Sequence, residues 1–158
     1  MPETNTSITR RRFCAEACQV ASCATLATLL SACDHGSSPT SPSGMASKLG
    51  VLAGQFTGST VQARVAESAL AEVDGAALVE STAGLFLIAR TSANTFSAID
   101  AVCTHEGCTI TGADGAVFVC PCHGSRYSRS GQVLGGPAKA SLRQYATTFA
   151  DGVVTITL

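Results

Sequence analysis

The chain has 158 residues and a formal net charge of −1 at pH 7. Its length allows one domain with an N-terminal extension, and no basic stripe follows Arg12, so nothing in its charge suggests a nucleic-acid partner. Four of its eight cysteines lie in the first 33 residues, and the other four lie within two short motifs between residues 103 and 122. Every cysteine after residue 33 therefore belongs to one of these motifs.

The N-terminal residues have the features of an export signal. Residues 9–13, TRRRF, resemble the twin-arginine signal consensus, and a weakly apolar run follows over residues 20–32. This run has thirteen residues, whereas a membrane span needs about 20 predominantly apolar ones. We therefore predict a twin-arginine signal peptide over residues 1–32, which would direct the protein to the periplasmic side of a bacterial cytoplasmic membrane.

Cys33 is a candidate lipidation site. Residues 30–33, LSAC, resemble a bacterial lipobox, in which the peptide is cut before the cysteine and the thiol takes a diacylglyceryl group. The alternative is an uncleaved anchor helix from about Ala15, although Glu16 and Gln19 would interrupt its apolar surface. The sequence favours a lipid anchor at Cys33 on the outer face of the membrane.

Residues 33–50 are predicted to form a linker rich in serine and proline, which has little to contribute to a core. Its residues 34–47, fourteen in number, reach roughly 20 Å when flexible. A folded domain is then expected over residues 51–158, tethered close to the membrane surface.

The predicted domain has the pattern of an all-β fold. Residues 85–89 form a short apolar run typical of a buried strand, and residues 95–99 indicate its neighbour. Asp-Gly pairs at 114–115 and 151–152 indicate hairpin turns, and residues 153–158 alternate as a half-buried strand does. Only residues 65–73 suggest a helical turn. We predict a small antiparallel sandwich or barrel.

Two motifs carry the metal chemistry: CTHEGC at residues 103–108 and CPCHGSRY at residues 120–127. Each offers one cysteine and one histidine at ligand spacing, plus a second cysteine. A zinc site is the alternative, but it usually takes its ligands as C-x₂₋₄-C and H-x₃₋₅-H pairs. Spacing alone does not decide which cysteine of CPCH is a ligand.

Together the motifs resemble those of the Rieske 2Fe–2S proteins of the high-potential type, found in cytochrome bc complexes and as the small subunit of arsenite oxidase. The resemblance implies a Rieske-type sandwich or barrel with two loops that bind one 2Fe–2S cluster. It places Cys103 and Cys120 on one iron and His105 and His123 on the other. Neutral imidazoles in place of two thiolates make reduction easier, with potentials of about −150 to +300 mV.

The resemblance also implies a disulfide between Cys108 and Cys122 that joins the two loops. Gly107 and Gly124 would let backbone N–H groups approach the cluster sulfurs. Ser125 and Tyr127 occupy positions at which the family places hydroxyl donors to sulfur. Residues 135–138, GGPA, resemble the family's proline loop beside the cluster, although they are equally typical of an ordinary turn.

The implied function is single-electron transfer in an oxidoreductase complex, with no catalytic residues and no enzyme activity of the chain alone. The first expectation is transfer from quinol to a cytochrome in a bc-type complex. The second is a small subunit of another exported oxidoreductase, and the third, less favoured, is an oxygenase-associated ferredoxin. Glu106 occupies a position where bc-type subunits typically carry leucine, and a carboxylate is poorly suited to an apolar quinone pocket.

Overall fold

The structure is a computed structural model, and it describes residues 46–158. The predicted signal peptide, Cys33 and most of the predicted linker lie outside these residues. Residues 46–158 contain no helix long and apolar enough to cross a membrane. They form one short 3₁₀ helix, Ala69–Ala71, and thirteen strands. The strands are β1 Ser47–Lys48, β2 Gly50–Ala53, β3 Gln55–Thr57, β4 Thr60–Arg64, β5 Ala76–Ser81, β6 Gly84–Arg90, β7 Phe96–Asp100, β8 Gly112–Asp114, β9 Val117–Val119, β10 Arg126–Tyr127, β11 Val133–Gly135, β12 Gln144–Ala150 and β13 Val153–Thr157.

The strands form two sheets. One has five strands in the order β1-β8-β9-β10-β11, and the other has eight in the order β2-β5-β6-β7-β12-β13-β4-β3. Neighbouring strands are antiparallel except β2 and β5, which pair in parallel. The predicted all-β class is confirmed, and the parallel pair is the one departure from antiparallel pairing.

Strands β5, β6 and β7 form a wall between two hydrophobic cores. Because side chains alternate along a strand, Leu78, Leu87 and Ile99 enter the core that also contains the cysteines of both motifs. Val79 and Ile88 enter the second core, inside the eight-stranded sheet. Both faces of this wall are buried, which explains why residues 85–89 are apolar without alternation. The predicted buried strand is confirmed.

Gly54 lies between β2 and β3, where the two ends of the eight-stranded sheet approach each other. A Cβ on Gly54 would lie 2.7 Å from Cγ1 of Val79 and 2.8 Å from Cγ1 of Val61. Only glycine lets the backbone come this close to both side chains. The result is a barrel-like curvature of the sheet.

The predicted turns are found with small adjustments. Asp151 and Gly152 join β12 to β13 with φ values of 50° and 72°, as a two-residue turn with both central residues left-handed requires. The β8–β9 turn is one residue later than the Asp-Gly pair, because Asp114 pairs with Val117 and leaves Gly115 in the turn. The predicted helical turn is the 3₁₀ helix.

The fold begins before the predicted boundary at residue 51. Strand β1 pairs with β8, and the side chain of Leu49 is 8% exposed in the core that contains the motif cysteines. The backbone N–H of Leu49 also donates to the Thr111 carbonyl at 2.8 Å. Residues 47–50 are therefore part of the domain rather than of the linker. The sequence pattern did not indicate a strand here, because Leu49 is a single large apolar residue among small and polar ones.

Candidate metal centre

The first motif forms a closed loop after β7. The backbone N–H of Cys103 donates to the Cys108 carbonyl at 2.9 Å, and the N–H of Gly107 donates back to the Cys103 carbonyl at 2.9 Å. An isolated bridge between Val102 and Thr109 closes its base. Gly107 has φ of +74°, which glycine adopts without strain.

The second motif repeats this backbone plan after β9. The N–H of Cys120 donates to the Ser125 carbonyl at 2.8 Å, and the N–H of Gly124 donates to the Cys120 carbonyl at 3.1 Å. Gly124 has φ of +70°. In both loops the backbone of the cysteine is thus hydrogen-bonded to the residues four and five positions later, and the histidine lies within the turn. The two halves of the site have the same local architecture.

A disulfide joins the two loops. Cys108 and Cys122 are bonded, with 6.5 Å between their Cα atoms and a sequence separation of 14 residues. This is the pairing that the resemblance implied. Closing a loop of this length stabilises the fold by roughly 3 kcal/mol in the chain-entropy model.

Among the described residues, the free cysteines are Cys103 and Cys120, each 2% exposed. Burial raises the pKa of the Cys103 thiol, but hydrogen bonds from Tyr127, from the His105 backbone and from the side chains of Cys120 and Ser125 together outweigh it, so this pKa lies below its ordinary value. The pKa of Cys120 is raised, chiefly because burial disfavours the thiolate. More donors therefore surround the sulfur of Cys103 than that of Cys120.

The two motif histidines lie side by side at the exposed end of the loops. Their ring centroids are 4.9 Å apart and the rings are nearly perpendicular. The His105 side chain is 27% exposed and that of His123 is 49% exposed. Nδ1 of His105 is buried and has no hydrogen-bond partner among the described residues. A buried nitrogen of this kind is costly unless it has a partner or a metal.

Glu106 lies at the tip of the first loop beside both histidines. One carboxylate oxygen is 3.8 Å from Nε2 of His105, and the other is 3.6 Å from Nδ1 of His123. The carboxylate is 60% exposed. The tip therefore presents a negative charge next to the two imidazoles.

Tyr127 and Ser125 lie beneath the loops, and both are fully buried. The Tyr127 hydroxyl is 3.2 Å from the sulfur of Cys103. It is also 3.0 Å from the Thr104 hydroxyl and accepts from the Thr104 N–H at 3.2 Å. A hydrogen bond from Ser125 contributes to the lowered pKa of Cys103. The role of Ser125 and Tyr127 as donors to cluster sulfur stays a prediction. Thr104 was not among the predicted site residues, because no local pattern encodes its contact with Tyr127.

The loop over residues 135–138 packs against the second motif. A Cβ on Gly136 would lie 2.6 Å from Cα of Ser125 and 2.8 Å from the Gly124 carbonyl oxygen. The N–H of Ala138 donates to the Ser125 hydroxyl oxygen at 3.2 Å. This segment is therefore a third loop of the site rather than an isolated turn.

The donor set fits a 2Fe–2S cluster. Two buried free thiols and two adjacent imidazoles are the ligand types that a mixed Cys/His iron–sulfur site needs, and the unpartnered Nδ1 of His105 gives one imidazole a reason to bind metal. The other two motif cysteines, Cys108 and Cys122, are excluded as ligands by their disulfide. Fold and site together define an all-β iron–sulfur protein.

Comparisons with known proteins agree with the assignment of an iron–sulfur site. A model of the Rieske [2Fe-2S] domain matches residues 58–146, and the chain belongs to this family. The cytochrome b6-f complex iron-sulfur subunit of Chlorobaculum tepidum is 35% identical over 63 residues, or 39% of this chain and 35% of that subunit. Iron-sulfur subunit 1 of the Cyanophora paradoxa cyanelle cytochrome b6-f complex is 48% identical over 58 residues, or 35% of this chain and 24% of that subunit.

The chain thus spans about a quarter to a third of these curated relatives. Among solved structures, it is similar to the plasma membrane Rieske protein PetC3 from Synechocystis PCC 6803. The identity is 29% and the TM-score 0.48, over 52% of this chain and 86% of that one. The protein is a Rieske electron-transfer protein related to cytochrome b6-f iron-sulfur subunits, with one 2Fe–2S cluster as its cofactor.

Proposed function

We propose that Cys103 and Cys120 hold one iron of the cluster and that His105 and His123 hold the other. The observation that carries this assignment is the pairing of two similar loops, each with one buried free thiol and one neighbouring imidazole. When bound, such a cluster accepts and releases single electrons.

The residues around the proposed cluster have different roles. The proposed sulfur ligands, Cys103 and Cys120, are buried and therefore shielded from water. The more exposed histidines form the edge at which a partner would dock. Hydroxyl groups of Ser125 and Tyr127 stabilise negative charge on sulfur and so favour the reduced state.

We further propose that the protein works at the outer face of a bacterial cytoplasmic membrane. The support is the twin-arginine-like segment, the lipobox-like segment ending in Cys33, and the serine- and proline-rich residues before the domain. The disulfide supports an oxidising compartment as well, since such bonds are rare in the cytosol. We propose residues 1–32 as the signal peptide and Cys33 as the start of the tethered mature chain.

Two electron-transfer roles are compatible with this location. Transfer from quinol to a cytochrome in a bc-type complex is supported by the names of the cytochrome b6-f relatives. The second candidate is a small subunit of another exported oxidoreductase, of the arsenite oxidase type. Glu106 favours this second role, because its exposed carboxylate would have to lose water to enter an apolar quinone pocket. The loop-joining disulfide and the buried hydroxyls of Ser125 and Tyr127 argue against an oxygenase ferredoxin.

The cluster assignment is tested by analysing the purified protein for metal and sulfide. We expect iron and acid-labile sulfide in equal amounts, and a Rieske-type EPR signal on reduction. Cys103→Ser and His105→Ala should each abolish the signal, whereas Glu72→Gln, on an exposed side chain before β5, should keep it. Zinc without sulfide would overturn the assignment.

The partner is tested by isolating the full chain with a C-terminal tag from detergent-solubilised membranes of its own organism. Co-purification of haem b, seen in the absorption spectrum, would support the bc-type role. Co-purification of molybdenum without haem b would support the second candidate.

A further inference from the structure

The Thr104 side chain links two parts of the site. Its hydroxyl donates to the Ala140 carbonyl at 2.6 Å and lies 3.0 Å from the Tyr127 hydroxyl oxygen. Thr104 stands between Cys103 and His105 in the first motif, while Ala140 follows the third loop.

Counting protons fixes the direction of these hydrogen bonds. A carbonyl can only accept, so the single hydroxyl proton of Thr104 goes to Ala140. Between the two hydroxyls, Tyr127 must therefore be the donor and Thr104 the acceptor. The Tyr127 oxygen also accepts a hydrogen bond from the Thr104 N–H. The Tyr127 hydroxyl itself has a single proton to donate.

That one proton has two acceptors within reach. The Cys103 sulfur is 3.2 Å from the Tyr127 oxygen, and the Thr104 oxygen is 3.0 Å away. A cysteine bound to iron is a thiolate without a proton, so it too can only accept. The sulfur and the threonine hydroxyl compete for the same donor.

We propose that Thr104 is a positioning residue that lowers the reduction potential of the cluster by drawing the Tyr127 proton away from the Cys103 sulfur. The proposal rests on the assignment of Cys103 as a ligand. Each hydrogen bond to sulfur stabilises the more negative, reduced state. Removing the competing oxygen should therefore strengthen the Tyr127 bond to sulfur and raise the potential.

The test is a double-mutant cycle on the full cluster-loaded chain, with the potential measured by EPR-monitored redox titration. Thr104→Val removes the hydroxyl and nearly preserves the side-chain shape, and it should raise the potential. Tyr127→Phe should lower it. In the Tyr127→Phe background, Thr104→Val should cause no shift, because the contested proton is gone. Thr104→Ser, which keeps the hydroxyl, should retain the original potential.

Several outcomes separate this mechanism from a structural role. An effect through the Ala140 contact would persist in the Tyr127→Phe background, and a shift of equal size in both backgrounds would overturn the proposal. So would a lowered or unchanged potential in Thr104→Val alone. If Tyr127→Phe itself causes no shift, the placement of Tyr127 and Cys103 at the cluster is wrong instead. If Thr104→Val does not assemble a cluster, Thr104→Ala carries the same expectation.

Discussion

At the scale of single residues, the site differs on its two sides. The interior side offers hydroxyl donors to a buried sulfur, where each hydrogen bond counts strongly because water is excluded. The exposed side carries Glu106, whose charge lies beside both histidines but is screened by solvent. The two sides should therefore shift the potential in opposite directions and respond differently to salt.

Ser125→Ala tests the interior side. We expect a lower reduction potential, because a donor to sulfur is lost, and a loss of stability of about 1–3 kcal/mol, because the Ala138 N–H loses its acceptor in the interior. Redox titration and urea unfolding measure these effects. Ser141→Ala, at an exposed position, is the matched control and should change neither. An unaltered potential in Ser125→Ala would show that its hydroxyl does not face the cluster.

Glu106→Gln tests the exposed side. Removing the negative charge should raise the potential by at most about 40 mV, since an exposed charge interaction is worth up to about 1 kcal/mol and 59 mV corresponds to a tenfold change for one electron. The shift should shrink as salt is added. Glu72→Gln should have no effect, because this exposed residue lies near the Arg90 end of β6, whereas the first loop follows the opposite end of the β6–β7 pair. A shift that salt does not reduce would contradict an electrostatic origin.

At the scale of elements, three loops meet at one site. The disulfide joins the first to the second, and the close approach of Gly136 to Ser125 joins the second to the third. Each connection joins residues of two different loops. The geometry of the site therefore depends on contacts between loops more than on any strand.

Gly136→Ala tests the contact between the second and third loops. With φ of +85° and a backbone atom 2.6 Å from the new Cβ, we expect a loss of about 1–3 kcal/mol and faster loss of the cluster on warming. Gly135→Ala is the matched control, because its Cβ would meet nothing within 4 Å. Thermal unfolding and visible absorbance provide the measurements. Equal effects of the two substitutions would refute the contact.

Local patterns predicted what is encoded locally. The buried run at 85–89, the Asp151-Gly152 turn and the spacing within each motif were all readable, since each depends on neighbours a few positions away. The parallel pairing of β2 with β5, the strand at Ser47–Lys48 and the contacts of Thr104 were not readable. These depend on segments brought together by the whole fold, and short sequences of small and polar residues specify no partner.

At the scale of the whole molecule, the three-strand wall joins the site to the rest of the domain. Its strands place alternate side chains in the core beneath the loops and in the core of the eight-stranded sheet. Because β5, β6 and β7 belong to both cores, detaching one of these strands would expose apolar side chains of both cores to water. The described residues should therefore unfold together rather than in parts.

Cys33→Ala tests the proposed tether. Two acyl chains are enough for stable membrane attachment, whereas one binds only marginally. The substitution should abolish incorporation of radiolabelled palmitate and leave the precursor unprocessed at this site. Cys23→Ala, in the preceding apolar run, is the control and should still be labelled. If Cys33→Ala is processed and labelled like the original chain, an anchor of another kind is present.

The mixed composition of each loop has a consequence for how the cluster can be lost. Under the proposed ligation, each iron takes one ligand from each loop, so neither loop can retain an iron alone. Any motion that parts the loops breaks the coordination of both irons in the same event. Cluster loss should then be all-or-none, without a long-lived species that has released a single iron.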